Sequence, residues 1–300
     1  LPVIILGTDG SAKTAVDALH RGASDYLAQP VTAKDLRTAI HKTGALETPG
    51  SRIPVEQTFA FDQIIGRSPQ MKLLKHLAAE VAQTNATVLI TGESGTGKEL
   101  FAQGIHVASP RSKGPFVALN CAGIPEHLLE SELFGHERGA FTGALVAKKG
   151  LLEKAHLGTC FLDEVADISP TLQSKLLRVI QEREIRRVGG NDTISVDVRV
   201  IAASNKDLKS LVEAGKIMED LYYRLRGVVV EMPALRERVE DIPLLALRFL
   251  QKAREELGRA PVALSPAAEE LLMRYRWPGN IRELQNVVRS VALFCEGDVV

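Results

Sequence analysis

The sequence predicts an α/β protein in which helices cover a parallel sheet and a small all-helical subdomain follows. Five apolar, strand-like runs alternate with helical stretches, which is the pattern of a parallel sheet wrapped by helices. The runs cover residues 87–91, 116–120, 159–162, 198–203 and 228–232. After Pro233 the strand-like runs stop, and three helical segments are predicted at residues 241–258, 266–275 and 280–294.

The N-terminal part of the chain predicts the back half of a smaller α/β domain. Its elements are a strand at 1–6, a helix at 12–21, a short strand at 25–27 and a helix at 33–42. Residues 46–60 are rich in Gly, Pro, Ser and Thr, which predicts a linker. The predicted domains are therefore 1–45, the α/β unit at 61–235 and the helical subdomain at 236–300. Because the chain begins abruptly on a strand, we interpret it as a fragment.

Composition limits the classes of function. The 37 basic and 37 acidic residues leave no positive excess for nucleic acid or an anionic membrane, so contact with DNA would need another module. Cys121, Cys160 and Cys295 are scattered, which favours a reducing cytoplasm over disulfides or zinc. No apolar run approaches the roughly 20 residues that span a bilayer, no signal peptide is recognisable, and the histidines show no spacing typical of a transition-metal site.

A glycine-rich loop after the buried run at 88–91 predicts a phosphate-binding site. Its residues are Gly92, Glu93, Ser94, Gly95, Thr96, Gly97, Lys98 and Glu99, and a helical stretch follows. Glycines let successive N–H groups point inward, the helix N-terminus adds its positive end, and Lys98 supplies a charge for the outer phosphates of ATP. The alternative is a glycine-rich turn that ends in lysine by chance, but the strand before it and the helix after it favour the ATP site.

Two carboxylates complete the predicted chemistry. The usual loop ends in Ser or Thr, whose hydroxyl binds Mg²⁺, whereas this chain has Glu99 there. Glu99 would reach the metal directly or through water, and Asp163, at the end of a strand, is the better candidate for the Mg²⁺ site. The next residue, Glu164, is placed to polarise a water toward the γ-phosphate. Taken alone, an Asp-Glu pair after a strand would be an ordinary solvated turn.

Three segments together resemble the AAA+ domain of bacterial sigma-54-dependent activators of the NtrC type. They are the phosphate loop, the segment Gly139, Ala140, Phe141, Thr142, Gly143 and Ala144, and the segment from Trp277 to Leu284 that begins Trp-Pro-Gly-Asn. The likeness runs from about Phe61 to the end of the chain. It implies an AAA+ P-loop parallel sheet with a helical lid, ATP and Mg²⁺ as cofactors, a homo-oligomeric ring such as a hexamer, and the sigma-54 RNA polymerase holoenzyme as partner.

The resemblance also implies roles for individual residues. The loop from Gly139 to Ala144 would contact sigma-54 and move with the nucleotide state, with Phe141 and Thr142 at its tip. An aromatic and a hydroxyl between small residues suit a mobile contact loop, although an ordinary glycine-rich surface loop would have the same composition.

Four further positions resemble functional residues of the family. Asn120 resembles the switch asparagine, which pairs with the catalytic glutamate, here Glu164; Ser204 and Asn205 resemble the first sensor, which reads the γ-phosphate; and Arg282 resembles the second sensor, in the lid. Taken singly, a capping Asn or a surface Arg is the commoner explanation for each position, so their weight is collective.

The segment 216–225 departs from the family pattern. Where the family has two arginines that face the neighbouring subunit's nucleotide, this chain has Met218 and Arg224. A trans arginine contributes about 10³ to 10⁵ in rate, or roughly 4 to 7 kcal/mol of barrier. Since methionine cannot stabilise developing negative charge, we expect impaired hydrolysis, with Arg224 retaining part of the effect.

The N-terminal part resembles the end of a flavodoxin-like response-regulator receiver domain, through residues 22–27 and Gln29-Pro30. Gln29 and Gly7 stand where the family has a lysine and a Ser or Thr that contact the phosphoryl group. Neither Asp9 nor Asp25 is the phosphoacceptor, whose strand would lie upstream. The family commonly ends in a helix-turn-helix that reads enhancer DNA, and we predict DNA binding only through such a domain.

The sequence leaves three hypotheses. The first is a ring ATPase that remodels the sigma-54 holoenzyme. The second is an ATP-binding regulatory module with impaired hydrolysis, because Met218 replaces an arginine. The third, a small-molecule kinase, is disfavoured because nothing resembles a site for an acceptor substrate.

Overall fold

The computed structural model describes residues 4–7, 23, 25–28, 61, 63–260, 263–295 and 299–300. The chain divides into two compact units, Leu1–Ile53 and Pro54–Val300. In the first, strands β1 (Ile4–Gly7) and β2 (Asp25–Ala28) pair in parallel, with Ile4 opposite Asp25. The helices predicted at 12–21 and 33–42, the linker, Asp9 and Gln29 lie outside the described residues.

The second unit contains the elements that build the site. Its strands are β3 (Val88–Thr91), β4 (Phe116–Asn120), β5 (Gly135–His136), β6 (Lys148–Lys149), β7 (Thr159–Asp163), β8 (Glu184–Arg186), β9 (Thr193–Ser195), β10 (Arg199–Ser204) and β11 (Val228–Glu231). Its α-helices are α1 (Pro69–Ala82), α2 (Lys98–Val107), α3 (Glu126–Phe134), α4 (Leu151–Lys154), α5 (Pro170–Glu182), α6 (Leu208–Glu213), α7 (Glu219–Leu225), α8 (Ile242–Glu256), α9 (Pro266–Arg274) and α10 (Asn280–Phe294). Short 3₁₀ turns lie at Val165–Asp167, Leu235–Glu237 and Val239–Asp241.

Five of these strands form one parallel sheet in the order β11-β3-β10-β7-β4. Every residue of β10 is buried, as expected for a central strand covered on both faces. The predicted α/β fold with a parallel sheet is confirmed. Since all five strands run the same way, their carboxyl ends meet at one edge, where ligands bind in sheets of this kind.

Local sequence explains where the flanking helices start. Ser68 and Ser169 precede Pro69 and Pro170, the first residues of α1 and α5, and each serine Oγ accepts a hydrogen bond from a backbone N–H of the first turn at 3.4 Å. A serine N-cap followed by proline is a strong helix start, because both residues suit the unpaired N–H groups found there. These helices therefore begin where the sequence alone would place them.

The three last helices form the predicted helical subdomain, called the lid here. They pack around a core of their own that contains Leu235, Ile242, Leu250, Trp277 and Leu284. Two short antiparallel pairs, β5–β6 and β8–β9, belong to the α/β part. In the described part of the chain, no helix is long and apolar enough to span a bilayer.

Candidate nucleotide site

The loop between β3 and α2 has a backbone that only glycine adopts easily. Gly92, Gly95 and Gly97 have φ angles of +145°, +78° and +100°. A Cβ on Gly95 would lie 2.4 Å from the Gly279 carbonyl oxygen, and one on Gly92 would lie 2.7 Å from that of Met232. Because α2 begins at Lys98, its free N–H groups face this loop, which makes it a cradle for an anion.

Lys98 and Glu164 meet beside this cradle. Lys98 Nζ donates to the carbonyl oxygens of Gly92 and Glu93 at 2.9 and 3.2 Å, and it lies 3.9 Å from Glu164 Oε1. The two side chains are only 6% and 12% exposed. Glu164 has a φ of +54°, a left-handed backbone that is costly for a non-glycine residue and that is concentrated at functional sites.

Asp163 and Glu99 lie at the same cavity as the loop. The cavity measures about 300 Å³ and is lined by Ser94, Gly95, Gly97, Lys98, Glu99, Leu100, Asn120, Asp163, Glu164, Ile281, Arg282 and Gln285. Asp163 comes from the end of β7, and its Oδ1 accepts the N–H of Glu164 at 3.0 Å.

The donor set of this cavity fits Mg²⁺ bound together with a nucleotide. No group of three or more His, Cys, Asp and Glu side chains in the described ranges is arranged to hold a metal unaided. Mg²⁺ is usually held by one or two carboxylates plus phosphate oxygens. Asp163, with Glu99 nearby, therefore suits an ion that the nucleotide itself would help to bind.

The residues at the ends of β4 and β10 show a different pairing from the one that the resemblance implies. Asn120 Oδ1 accepts the N–H of Ala122 at 2.8 Å, which closes a local turn after β4. Glu164 Oε2 instead accepts the N–H of Asn205 at 3.1 Å. The structure shows no hydrogen bond between Asn120 and Glu164; the contact of Asn120 Oδ1 with Ala122 leaves its Nδ2, the donor that a carboxylate would need, unused.

The two sensor positions also lie in different surroundings. Ser204 is fully buried, and its Oγ donates to the carbonyl of Lys206 at 2.9 Å, whereas Asn205 is exposed. Arg282, in the first turn of α10, donates from Nη1 to Ser94 Oγ at 3.1 Å and lines the cavity. Arg282 therefore lines the cavity from the lid, Asn205 contacts Glu164 through its backbone N–H without lining the cavity, and Ser204 stabilises the turn after β10.

The segment Gly139–Ala144 lies between β5 and β6, outside the residues that line the cavity. Phe141 is 40% exposed, and its ring meets His136 edge-on at a centroid distance of 5.0 Å. Gly139 and Gly143 have φ angles of +83° and +108°, and Gly139 N–H donates to the Ala144 carbonyl at 2.9 Å. The loop is therefore a closed turn that presents an aromatic side chain at the surface.

Met218 and Arg224 flank the two ends of α7. Met218 is half-buried against the main core, its N–H donates to Gln173 Oε1 at 2.7 Å, and its Sδ accepts from Ser174 Oγ at 3.4 Å. Arg224 is exposed, and its guanidinium makes no hydrogen bond or ion pair with the described residues. Of the two positions, only Arg224 offers a cation to solvent.

The structure adds three residues that the sequence did not identify. Arg236, Arg238 and Asn280 all donate hydrogen bonds to the phosphate loop. Asn280 could have been identified from the sequence, because it lies in the Trp-Pro-Gly-Asn segment. Arg236 could not, because it lies 143 positions from its partner Glu93 and no local pattern marks it. The Glu93 side chain, predicted to bind nucleotide with the rest of the loop, instead pairs with the lid.

Comparison with protein families places two family models on this unit. A sigma-54 interaction domain matches residues 64–231, and an AAA+ ATPase lid domain matches residues 236–300. The first model ends on β11, the last strand of the sheet, and the second covers the helical lid.

Individual relatives agree with these matches. The transcriptional regulatory protein ZraR of Salmonella typhimurium is 49% identical over 301 residues, covering 100% of this chain and 68% of ZraR. The regulatory protein AtoC of Escherichia coli is 45% identical over 304 residues, covering 100% of this chain and 66% of AtoC. The crystal structure of NtrX from Brucella abortus in complex with ATP is 37% identical, with a TM-score of 0.74 over 99% of this chain and 64% of NtrX. The chain thus spans about two thirds of these proteins.

Proposed function

The chain belongs to the family of bacterial sigma-54-dependent transcriptional activators, and from that premise we propose that it couples ATP hydrolysis to remodelling of the sigma-54 RNA polymerase holoenzyme. It works as a homo-oligomeric ring, a hexamer as the family implies, with ATP bound where subunits meet. DNA is contacted only through a separate helix-turn-helix domain of the kind that the family commonly carries.

The observation that carries the proposal is the convergence of separate elements on one cavity. The phosphate loop, Lys98, Asp163 and Glu164 come from β3, α2 and β7, and Arg282 comes from the lid. A chance glycine-rich turn would not bring a buried lysine and two strand-end carboxylates to the same 300 Å³ cavity. A solved relative at 37% identity is in complex with ATP, which supports the same ligand here.

Each side chain has a distinct role in this proposal. The loop N–H groups and Lys98 bind the phosphates, while Asp163, together with Glu99, would hold Mg²⁺, which would supply neutralising charge. Glu164 accepts a proton from the attacking water at its carboxylate, and its contact with the Asn205 N–H orients it. Arg282 draws the lid onto the nucleotide, and Arg224 reaches the adjacent subunit's site.

The loop Gly139–Ala144 is the proposed contact with sigma-54. Its exposed Phe141 offers an apolar side chain to a partner, and its left-handed glycines allow it to change shape. Asn120 lies at the end of β4, where donation from its Nδ2 to the Glu164 carboxylate would connect nucleotide state to this loop, while its Oδ1 keeps the Ala122 N–H.

Two substitutions test the proposal together. We expect Glu164→Gln to bind ATP and to lower phosphate release by about 10²- to 10⁴-fold, as removal of a general base does. We expect Phe141→Ala to keep most ATPase activity and to abolish promoter melting by the sigma-54 holoenzyme. Promoter melting by Phe141→Ala at the wild-type rate would reject the role of the loop, and undiminished hydrolysis by Glu164→Gln would reject the catalytic assignment.

The second candidate function is an ATP-binding regulatory module with impaired hydrolysis. The half-buried, uncharged Met218 at the position of a family arginine favours it. Phosphate release measured on concentrated, assembled protein separates the two: steady turnover supports the motor, and nucleotide binding without turnover supports the module.

A further inference from the structure

Glu93 belongs to the phosphate loop, yet its carboxylate is directed to the lid. Its Oε1 accepts from Arg236 Nη2 at 2.6 Å and its Oε2 accepts from Arg236 Nη1 at 2.9 Å, which is a bidentate ion pair. The same Oε2 also accepts from Asn280 Nδ2 at 3.0 Å. One side chain therefore joins the loop both to the segment that leads into the lid and to the first residue of helix α10.

Asn280 makes its part of this connection through a buried side-chain amide. It is fully buried and has a φ of +52°, a left-handed backbone that asparagine tolerates better than most residues. Its Nδ2 donates to Glu93 and to the Ser94 carbonyl at 3.0 Å each, and its Oδ1 accepts the N–H of Leu235 at 2.8 Å. The amide thus joins two other stretches of chain, the loop at 93–94 and the segment at 235, to the start of α10, with both of its polar atoms in use.

The neighbouring loop residues are held from the same side. Arg238 Nη2 donates to the Thr96 carbonyl at 3.0 Å, and the N–H of Ile281 donates to the Gly95 carbonyl at 2.9 Å. With the contact between Arg282 and Ser94, each loop residue from 93 to 96 has a partner in the segments 236–238 and 280–282. The lid cannot shift without breaking these hydrogen bonds or moving the loop.

We propose that Glu93 is a positioning residue that ties the phosphate loop to the lid through Arg236 and Asn280, so that occupation of the loop is transmitted to the lid. This inference rests on the proposed binding of nucleotide, but not on hydrolysis or on sigma-54. Glu93 does not touch the phosphates in this role; it connects the loop that binds them to the lid.

The electrostatics of the pair suit such a link. Hydrogen bonds from Arg236 and Asn280 hold the pKa of Glu93 down at about 2, so its carboxylate is charged throughout the physiological range. The Glu93 and Arg236 side chains are 44% and 42% exposed, so water and salt screen the attraction. The pair therefore contributes mainly geometry, and the connection should weaken as salt rises.

The single tryptophan provides a fluorescence probe of the lid. Trp277 is the only tryptophan in the sequence, is 3% exposed in the lid core, and packs edge-on against Tyr275 at 5.0 Å. It lies three residues before Asn280. Its fluorescence therefore reports on the lid, while calorimetry with ADP reports on binding at the loop.

The experiment compares wild type, Glu93→Ala, Arg236→Ala and the double variant, with ADP as the ligand. We expect ADP to bind each variant within about fivefold of wild type, since the pair is exposed and does not touch the nucleotide. We expect the change in Trp277 fluorescence per bound ADP to fall below about half in each single variant, and the double variant to lose no more than either single one. Glu93→Gln, which keeps the shape of the side chain, replaces Glu93→Ala if the latter does not fold.

Arg274→Ala is the matched control. Arg274 pairs with Glu270 at 2.6 Å within α9, is also in the lid, and does not contact the loop, so its loss should change neither reading. A full fluorescence response in Glu93→Ala, additive losses in the double variant, or ADP binding to wild type without any response would overturn the proposal. Failure of wild type to bind ADP at all would instead reject the proposed nucleotide site.

Discussion

At the scale of single residues, Met218 packs against the core at a position where the family has an arginine. Its side chain packs against the main core, and its N–H donates a hydrogen bond to the Gln173 side chain of helix α5. An arginine there would lose some apolar packing but would bring a guanidinium to the start of α7. Arg224, one helix length away, stays exposed and free of partners among the described residues.

We expect Met218→Arg to raise the ATPase rate of assembled protein by about tenfold or more, because a trans arginine stabilises charge that develops on the phosphates. Phosphate release at saturating ATP measures this. Met218→Leu keeps the volume without the charge and should leave the rate unchanged. An equal or lower rate for Met218→Arg in correctly assembled protein would show that position 218 does not face the neighbouring nucleotide.

Two of the three cysteines are shielded by the sheet. Cys121 and Cys160 are 2% and 0% exposed, and burial raises the pKa of each thiol to about 12. An unfolded cysteine has a pKa of about 8.5, below these folded-state values. The unfolded chain therefore loses these protons first, and the folded protein becomes less stable as the pH rises from about 8.5 towards 12. Cys295 is only partly buried at the end of α10.

We therefore expect Ellman's reagent at pH 8 to titrate one thiol of the folded protein within minutes and all three in guanidinium chloride. Cys295→Ser should remove the fast reaction. Rapid reaction of two or more thiols in the folded state would contradict the burial of Cys121 and Cys160.

At the scale of the elements, Arg199 secures helix α1 against the sheet. It is 2% exposed at the start of β10, and its guanidinium donates to the carbonyls of Val81 and Ala82 at 2.9 and 3.0 Å. These carbonyls belong to the last turn of α1, and that of Val81 also accepts from the N–H and the hydroxyl of Thr84 at 3.0 and 2.9 Å. Burial lowers the pKa of Arg199 to about 10, so the guanidinium remains charged at neutral pH.

We expect Arg199→Met to lower the free energy of unfolding by about 2 to 4 kcal/mol, because buried carbonyls lose charged donors. Urea denaturation followed by circular dichroism measures it. Arg259 provides the comparison, since it donates to the carbonyls of Ala292 and Leu293 near the end of α10 but is itself exposed. Arg259→Met should cost less than about 1 kcal/mol; equal losses in the two variants would mean that burial of Arg199 contributes nothing extra.

At the scale of the whole molecule, Arg224 lies apart from the cavity that it is proposed to serve in an assembled ring. Lys98, Asp163 and Glu164 surround it from the α/β part, and Arg282 from the lid. Arg224, on α7, is not among the residues that line it. If subunits share the site as proposed, a dilute subunit binds nucleotide but hydrolyses it poorly.

We expect ATPase activity per subunit to rise with protein concentration until the ring is complete, in step with the molecular mass from light scattering. Arg224→Ala should lower the plateau without changing the mass. A specific activity that is independent of concentration, in protein shown to dissociate over the same range, would place the whole active site within one subunit.

The sequence alone was sufficient for the features that depend on local order. The phosphate loop, the five strands of the parallel sheet and the three lid helices are contiguous segments whose periodicity and glycine spacing predict them directly. The predicted ends of these strands and helices differ from those observed by only one or two residues. The Glu93 side chain was assigned to the nucleotide for the same reason, since its neighbours along the chain all belong to the loop.

Only the tertiary structure decided which side chains pair across the molecule. Glu93 meets Arg236 and Asn280, which lie 143 and 187 positions further along the chain. Glu164 accepts a hydrogen bond from the N–H of Asn205, and Asn120 accepts one from the N–H of Ala122. No window of sequence contains both members of such long-range pairs, because their distance is set by how the lid packs on the sheet and how the strands are ordered. Local chemistry therefore predicted the glycine-rich loop, and packing determined how that loop is connected to the lid.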